Sequence, residues 1–126
     1  MENSTVTQKV SLYERLGGEL GVRKIVNDTL DKNFNNPLIG HYFQNIDMDN
    51  LKRLVFEFFS MGIGGPHQYT GRDMVSSHAQ LKLSEADYQS SNADLLEALR
   101  ENGIEEAEQN EIIAILDSMK GAIVTA

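Results

Sequence analysis

Cysteine is absent from the 126 residues, which excludes disulfides and every thiolate metal site. No apolar run approaches the roughly 20 residues that a membrane-spanning helix needs, so no membrane association is expected. Basic residues are scarce. Eleven Lys and Arg stand against 19 Asp and Glu, a net charge of −8, and they form no stripe that could follow a phosphate backbone. Nucleic acid is therefore not an expected partner, and the acidic surplus reads as a solvated surface that aids solubility. The opening stretch "MENSTVTQKV" lacks the charged-then-apolar layout of a secretory signal and reads as a flexible lead over residues 1–10. The cytoplasm is the expected location, and an acidic surface without a large apolar face favours a monomer.

What the chain does contain is the balance of one globular domain, expected over residues 11–126, with 40% hydrophobic and 24% charged residues. Its two prolines and most glycines fall between periodic segments. "SLYE" at 11–14 has the form of a capping box, and Gly17 and Gly18 stop that short helix. A second helix carries Val22, Ile25, Val26, Leu30 and Phe34 and runs out in "NNP". Asp47 can cap a third, striped by Met48, Leu51, Leu54, Val55, Phe58 and Phe59 and ended by "GIGGP". Ser84 and Asp87 announce a helix through Tyr88, Leu95 and Leu99, and a last helix carries Ile112, Ile113, Leu116, Met119 and Ile123. No segment alternates with period two for long enough to be a strand. The fold class is all-α, with about four substantial helices.

Chemistry has few carriers here. The histidines are His41, His67 and His78, and no HxxxH, HExxH or ExxH spacing supports a site with several protein ligands. Ser76 and Ser77 are too near His78 in sequence to serve as its nucleophile, because helical geometry turns adjacent residues apart. His78 itself sits on an apolar helix face, with Met74 four residues before it and Leu81 three after. Such a residue is ordinarily a packed core histidine. The exception is a single axial ligand to haem, where the porphyrin supplies the other four donors and apolar surroundings become an asset. That exception also demands an aromatic clamp, an apolar distal wall and polar groups at the rim. Phe43, the Leu51–Val55–Phe59 face, and Tyr69, Thr70 and Arg72 are available for these parts.

The motifs "SLYERLGG", "NNPLIGHYF", "GGPHQYTGR" and "MVSSH", with His78 fourteen positions beyond Gly64, identify a resemblance to group 1 truncated haemoglobins from Ser11 to about Ile123. The resemblance implies a two-over-two helical sandwich around haem b, with His78 as iron ligand and Phe43 packed on the macrocycle. It implies Tyr69 and Met74 at the propionate edge and proximal side, Leu51 and Val55 as distal residues of the third helix, and Leu30 on the second. Phe59, Arg72, Tyr88 and Leu95 complete the candidate haem contacts. General metal-site logic adds that the second ring nitrogen of His78 donates to a backbone carbonyl about one turn back, near Met74.

One departure stands out. Many members of this group hold oxygen with a tyrosine on the second helix and a glutamine on the third. Here residues 20–34 contain no Tyr, and residues 48–61 contain no Gln or His. The distal pocket is therefore expected to be apolar. Lys52, His41 and His67 are the side chains that could supply an internal sixth ligand. Three functions remain in play: reversible binding of oxygen, CO or NO for storage, delivery or sensing; a haem redox enzyme, either an NO dioxygenase served by a reductase or a weak peroxidase; and a haem-free helical regulator.

Overall fold

The computed structural model describes residues 10–126, apart from the side chains of Val75 and Gln80. The flexible lead expected over residues 1–10 lies outside the described residues except for Val10. Ser11 caps α1 (Leu12–Arg15), its Oγ accepting from Glu14 N at 3.1 Å. Two left-handed glycines, Gly17 at φ 106° and Gly18 at φ 67°, then reverse the chain into α2 (Gly18–Asn35). The reversal is tight: a Cβ on Gly21 would lie 2.2 Å from the Leu16 carbonyl oxygen.

Four long helices make the body of the molecule: α2, α3 (Met48–Gly62), α5 (Glu85–Glu101) and α6 (Glu106–Asp117). α2 packs on both α3 and α5, and α5 packs on α6, which pairs α2 with α3 and α5 with α6 in a two-over-two arrangement. The short helix α4 (Met74–His78) continues as a 3₁₀ turn (Ala79–Leu81), and a second 3₁₀ turn (Gly40–Phe43) joins α2 to α3. The capping box expected at Ser84 and Asp87 is made in both directions.

Three features depart from the expected patterning. On α2 the buried set is Val22, Ile25, Val26, Leu30 and Asn33, while Phe34 is 46% exposed. Asn33 earns its place through polar contacts with α5: its Nδ2 donates to Asp94 Oδ2 at 2.8 Å, and its Oδ1 accepts from Ser91 Oγ. On α3 the fully packed residues are Phe56 and Ser60, and the expected stripe of Leu51, Leu54, Val55, Phe58 and Phe59 is only half-buried. The Arg23 guanidinium of α2 lies 4.1 Å above the Phe56 ring, which identifies the α2-facing side of α3. Finally, the last helix does not run through to Ile123. It breaks at Ser118 and Met119, and a separate turn, α7 (Lys120–Ile123), packs on α4. The tail fastens there, with Thr125 N and Ala126 N both donating to the Leu83 carbonyl at 3.0 and 3.1 Å. A lone parallel bridge links Leu83 to Val124, and the described residues hold no strand.

The core is continuous across α1, α2, α3, α5 and α6, and Leu99 and Ile112 are both at 0% exposure within it. Replacing Leu99 with Ala removes a fully enclosed side chain from the α2–α5 contact and should cost about 2–5 kcal/mol in urea unfolding. Leu20→Ala, at a position 82% exposed, should fall within about 0.5 kcal/mol of the parent.

Candidate functional site

α4 owes its short course to its ends. Asp73 precedes it and accepts from Ser76 N at 2.8 Å and from Ser76 Oγ at 3.0 Å, which fixes the first turn. His78 is the last α-helical residue, with φ −112° and ψ −15°, and Lys82 at φ 54° turns the chain away after the 3₁₀ segment. His78 Nδ1 lies 2.9 Å from the Met74 carbonyl oxygen, the partner that metal-site logic anticipates one turn back. Ser77 also takes part: its Oγ is 2.9 Å from the same Nδ1 and 3.3 Å from the same carbonyl. The reading that adjacent helical residues cannot meet fails at this pair, because His78 has already left regular helical geometry. Nε2 has no hydrogen-bond partner among the described residues. Leu81, expected to share the histidine's apolar face, is 36% exposed.

Of the other candidate residues, the structure gathers six into one hydrophobic cluster. Leu30 and Leu95 are buried in it, at 6% and 9% exposure, while Phe43, Leu51, Val55 and Phe59 are only partly covered. Tyr69, Arg72, Met74 and Tyr88 stand outside that cluster. The Tyr69 hydroxyl donates to the Arg72 carbonyl, and its ring meets Phe58 edge-on at 5.1 Å. Arg72 is exposed and forms no ion pair among the described residues. Tyr88 is buried and committed to α6, its hydroxyl donating to Asp117 Oδ1 at 2.7 Å.

Further members also belong here. Met48 and Leu116, expected on their helices' apolar stripes, and Leu96 and Ile115, which no stripe includes, are partly covered members of the same cluster. Leu96 follows a core leucine, and helical periodicity alone does not reveal that two adjacent positions are both used. Glu57, which no sequence motif marks, ties α3 to the loop before α4. Its carboxylate accepts from Thr70 N at 3.1 Å, from Thr70 Oγ1 at 2.7 Å and from Arg53 at 3.0 Å. The Thr70 contacts, aided by Arg53, hold the Glu57 carboxyl below the usual carboxylate range.

These parts fit a flat, apolar group that carries its own metal donors. The described residues contain no cluster of three or more His, Asp or Glu side chains able to hold a metal ion. A single imidazole with one committed nitrogen can still hold an iron if a macrocycle supplies the remaining donors. The half-covered surfaces of Phe43, Leu51, Val55 and Phe59 offer such a group apolar contact.

Comparison with known proteins agrees with this geometry. The family described as Bacterial-like globin matches residues 11–125. The Group 1 truncated hemoglobin of Tetrahymena pyriformis is 29% identical over 107 residues, covering 85% of this chain and 88% of that protein. The Group 1 truncated hemoglobin GlbN of Nostoc sp. (strain MUN 8820) is 26% identical over 114 residues, covering 90% of this chain and 97% of its own. The crystal structure of the Tetrahymena pyriformis protein in its Fe(III) form superposes with a TM-score of 0.89 at 26% identity, over 93% of this chain and all of that one.

The depressed Glu57 carboxyl has a defined pH signature. Its contribution to stability is fully present above the ordinary glutamate value of about 4.3 and is lost as pH falls through the lower folded-state value. Thermal unfolding midpoints of the parent and Glu57→Gln should therefore differ at neutral pH, with the parent higher, and converge as the solution becomes strongly acidic.

Proposed function

The chain belongs to the bacterial-like globin family and is thereby a haem-binding protein, and on that premise we propose that it binds oxygen, CO and NO reversibly at a five-coordinate haem b held by His78. The observation that carries this reading is the hydrogen-bonding state of the imidazole. Nδ1 is engaged by the Met74 carbonyl at 2.9 Å, and Nε2 is left unengaged. A backbone carbonyl can only accept, so it selects the tautomer with its proton on Nδ1 and the lone pair on Nε2. His78 would hold the haem through Nε2, and the group would supply an iron able to take up a small gas.

The side chains around the site support an apolar distal pocket. Thr29, the nearest hydroxyl to Leu30 in sequence, donates from Oγ1 to the Ile25 carbonyl at 2.8 Å. The hydroxyls of Tyr42, Tyr69 and Tyr88 donate to Asp87, the Arg72 carbonyl and Asp117. Leu30, Leu51 and Val55 can exclude water from a bound gas and can donate no hydrogen bond to it. Oxygen gains negative charge at a ferrous haem and CO gains little. A missing charge-assisted hydrogen bond is worth roughly 1.5–3 kcal/mol, so oxygen should leave about one to two decades faster than from a pocket with a donor.

The possible internal ligands have other partners, which supports an open iron. Lys52 Nζ is paired with Asp31 at 2.7 Å. His67 Nδ1 lies 2.9 Å from the buried Ser60 hydroxyl, and its ring packs edge-on to Phe56. His41 is exposed, with its ring centroid 4.1 Å from that of Tyr42. We assign residues 11–126 to one monomeric domain acting in the cytoplasm. Separately, no helix among the described residues is long and apolar enough to cross a membrane.

The deciding experiment is the absorption spectrum of the haem-loaded protein, ferric and ferrous, before and after CO. A five-coordinate ferrous spectrum that takes up CO at once is expected, with tight haem binding lost in His78→Ala. A low-spin six-coordinate ferrous spectrum would overturn the open-iron reading, and unchanged haem binding in His78→Ala would remove His78 as the ligand. In stopped-flow ligand replacement, Leu30→Tyr should slow oxygen release about 10- to 100-fold by supplying the missing donor. No slowing would mean that position 30 does not border the gas.

A further inference from the structure

Asn102 and Gly103 close α5, and theirs is the one Asn–Gly step in the chain. The step follows from how the helix stops. Gly103 has a φ of 76°, a conformation that L side chains rarely adopt, and it is exposed, with open space where a Cβ would stand. The residue before it therefore carries an amide next to a backbone nitrogen that no side chain shields. In that arrangement a peptide nitrogen attacks an asparagine side chain most readily.

The fold holds the two reacting groups apart. At a ψ of 12° the Gly103 nitrogen nearly eclipses the nitrogen of Asn102 and so points away from the Cβ that bears the amide. Gly103 N donates to the Arg100 carbonyl at 3.0 Å. Asn102 Nδ2 donates to the Ala98 carbonyl at 2.8 Å and across to α2, to Asp28 Oδ2 at 3.0 Å. The same Oδ2 accepts from Lys24 Nζ at 2.8 Å. Lys24 first and Asn102 second hold the Asp28 carboxyl below the usual range, so the acceptor is an ionised carboxylate. One amide thus fastens the end of α5 to α2.

We propose that Asn102 is a modification site, converted to aspartate and isoaspartate through a succinimide with Gly103, at a rate that its contact with Asp28 governs. The Gly103 nitrogen bonds to Asn102 Cγ and gives up its proton. The Cγ–Nδ2 bond breaks, and the amide nitrogen leaves with that proton as ammonia. Water then opens the imide at either carbonyl, which yields the two acids. Both products put a carboxylate where an amide donated to Asp28, so an attractive contact becomes a repulsive one. The new charge also lies at the C-terminal end of α5, where the helix dipole disfavours it, and beside Glu101. Lys24 and Lys32 are the cations acting on Asp28, and Lys32 is already paired with Glu97 and Glu101. Conversion is slow while α5 is held to α2 and irreversible once it has happened. The chain thereby records the time that this corner has spent open.

The test ages the haem-loaded protein at neutral pH beside Asp28→Ala, Ile63→Ala and Asn102→Gln, and beside the full parent chain in urea. Peptide mapping by mass spectrometry and enzymatic methylation of isoaspartate report the conversion. It should be slow at Asn102 in the folded parent, fastest in urea, and absent at that position in Asn102→Gln. Asp28→Ala should speed it about 10- to 100-fold, the factor for one hydrogen bond to a charged group. Ile63→Ala destabilises the buried core elsewhere and should leave the rate unchanged. Asn102→Asp should unfold at a lower temperature than the parent, as should the aged fraction. No conversion at Asn102 in urea would overturn the site. An unchanged rate in Asp28→Ala, or an equal acceleration in Ile63→Ala, would overturn control by the α2–α5 contact.

Discussion

An imidazole has two nitrogens, and committing one decides what the other can do. At the end of α4 the Met74 carbonyl commits His78 Nδ1, and a carbonyl leaves no choice of tautomer. The rest of the site is arranged around that contact. Asp73 starts the short helix and Lys82 ends the 3₁₀ turn that follows it, so the segment between them delivers the imidazole in one orientation. The C-terminal tail reinforces the same segment, since Thr125 and Ala126 both donate to Leu83 just beyond it. An otherwise minimal helix is thus braced at three places.

The second organising constraint is how α3 divides its apolar residues. Phe56 and Ser60 are fully buried, Phe56 beneath the Arg23 guanidinium of α2 and Ser60 hydrogen-bonded to His67. Leu51, Val55 and Phe59 keep part of their surface uncovered, as does Phe43 from the preceding turn. Leaving several large apolar side chains half-covered in one place costs stability in a chain this short. A flat apolar group bound against them would recover that cost.

Polar groups tie the loop before α4 to α3, and α2 to α5. Glu57 holds the loop before α4 through both the backbone and the side chain of Thr70, so α3 also positions the approach to His78. Across the molecule, Asn33 and Asn36 both donate to Asp94 and fasten α2 to α5. Neither device follows a local pattern. Each joins residues far apart in sequence, and neither a lone Glu on a helix nor an Asn in an apolar stripe signals such a partner. Ser77 is the instructive case, since the general rule about adjacent helical residues pointed away from it, and one non-helical φ at His78 reversed the outcome.

What the sequence determined alone was whatever rests on local periodicity and on residue identity. The 3.6-residue spacing of Val22, Ile25, Val26 and Leu30 dictated α2, the Ser84 and Asp87 pair dictated the start of α5, and paired glycines set where α1 and α3 stop. A lone histidine in an apolar setting, and the lack of Tyr, Gln or His where a distal donor would stand, were equally legible. Tertiary structure decided which of two adjacent apolar faces of α3 is packed and which stays partly uncovered. It also decided that Asn33 rather than Phe34 turns inward, that the Tyr88 hydroxyl is bonded to α6, and that the last helix breaks at Met119. The physical reason is the same throughout. A helix's own hydrogen bonds are satisfied whichever way it is rotated, so its rotation is chosen only by the neighbours it packs against.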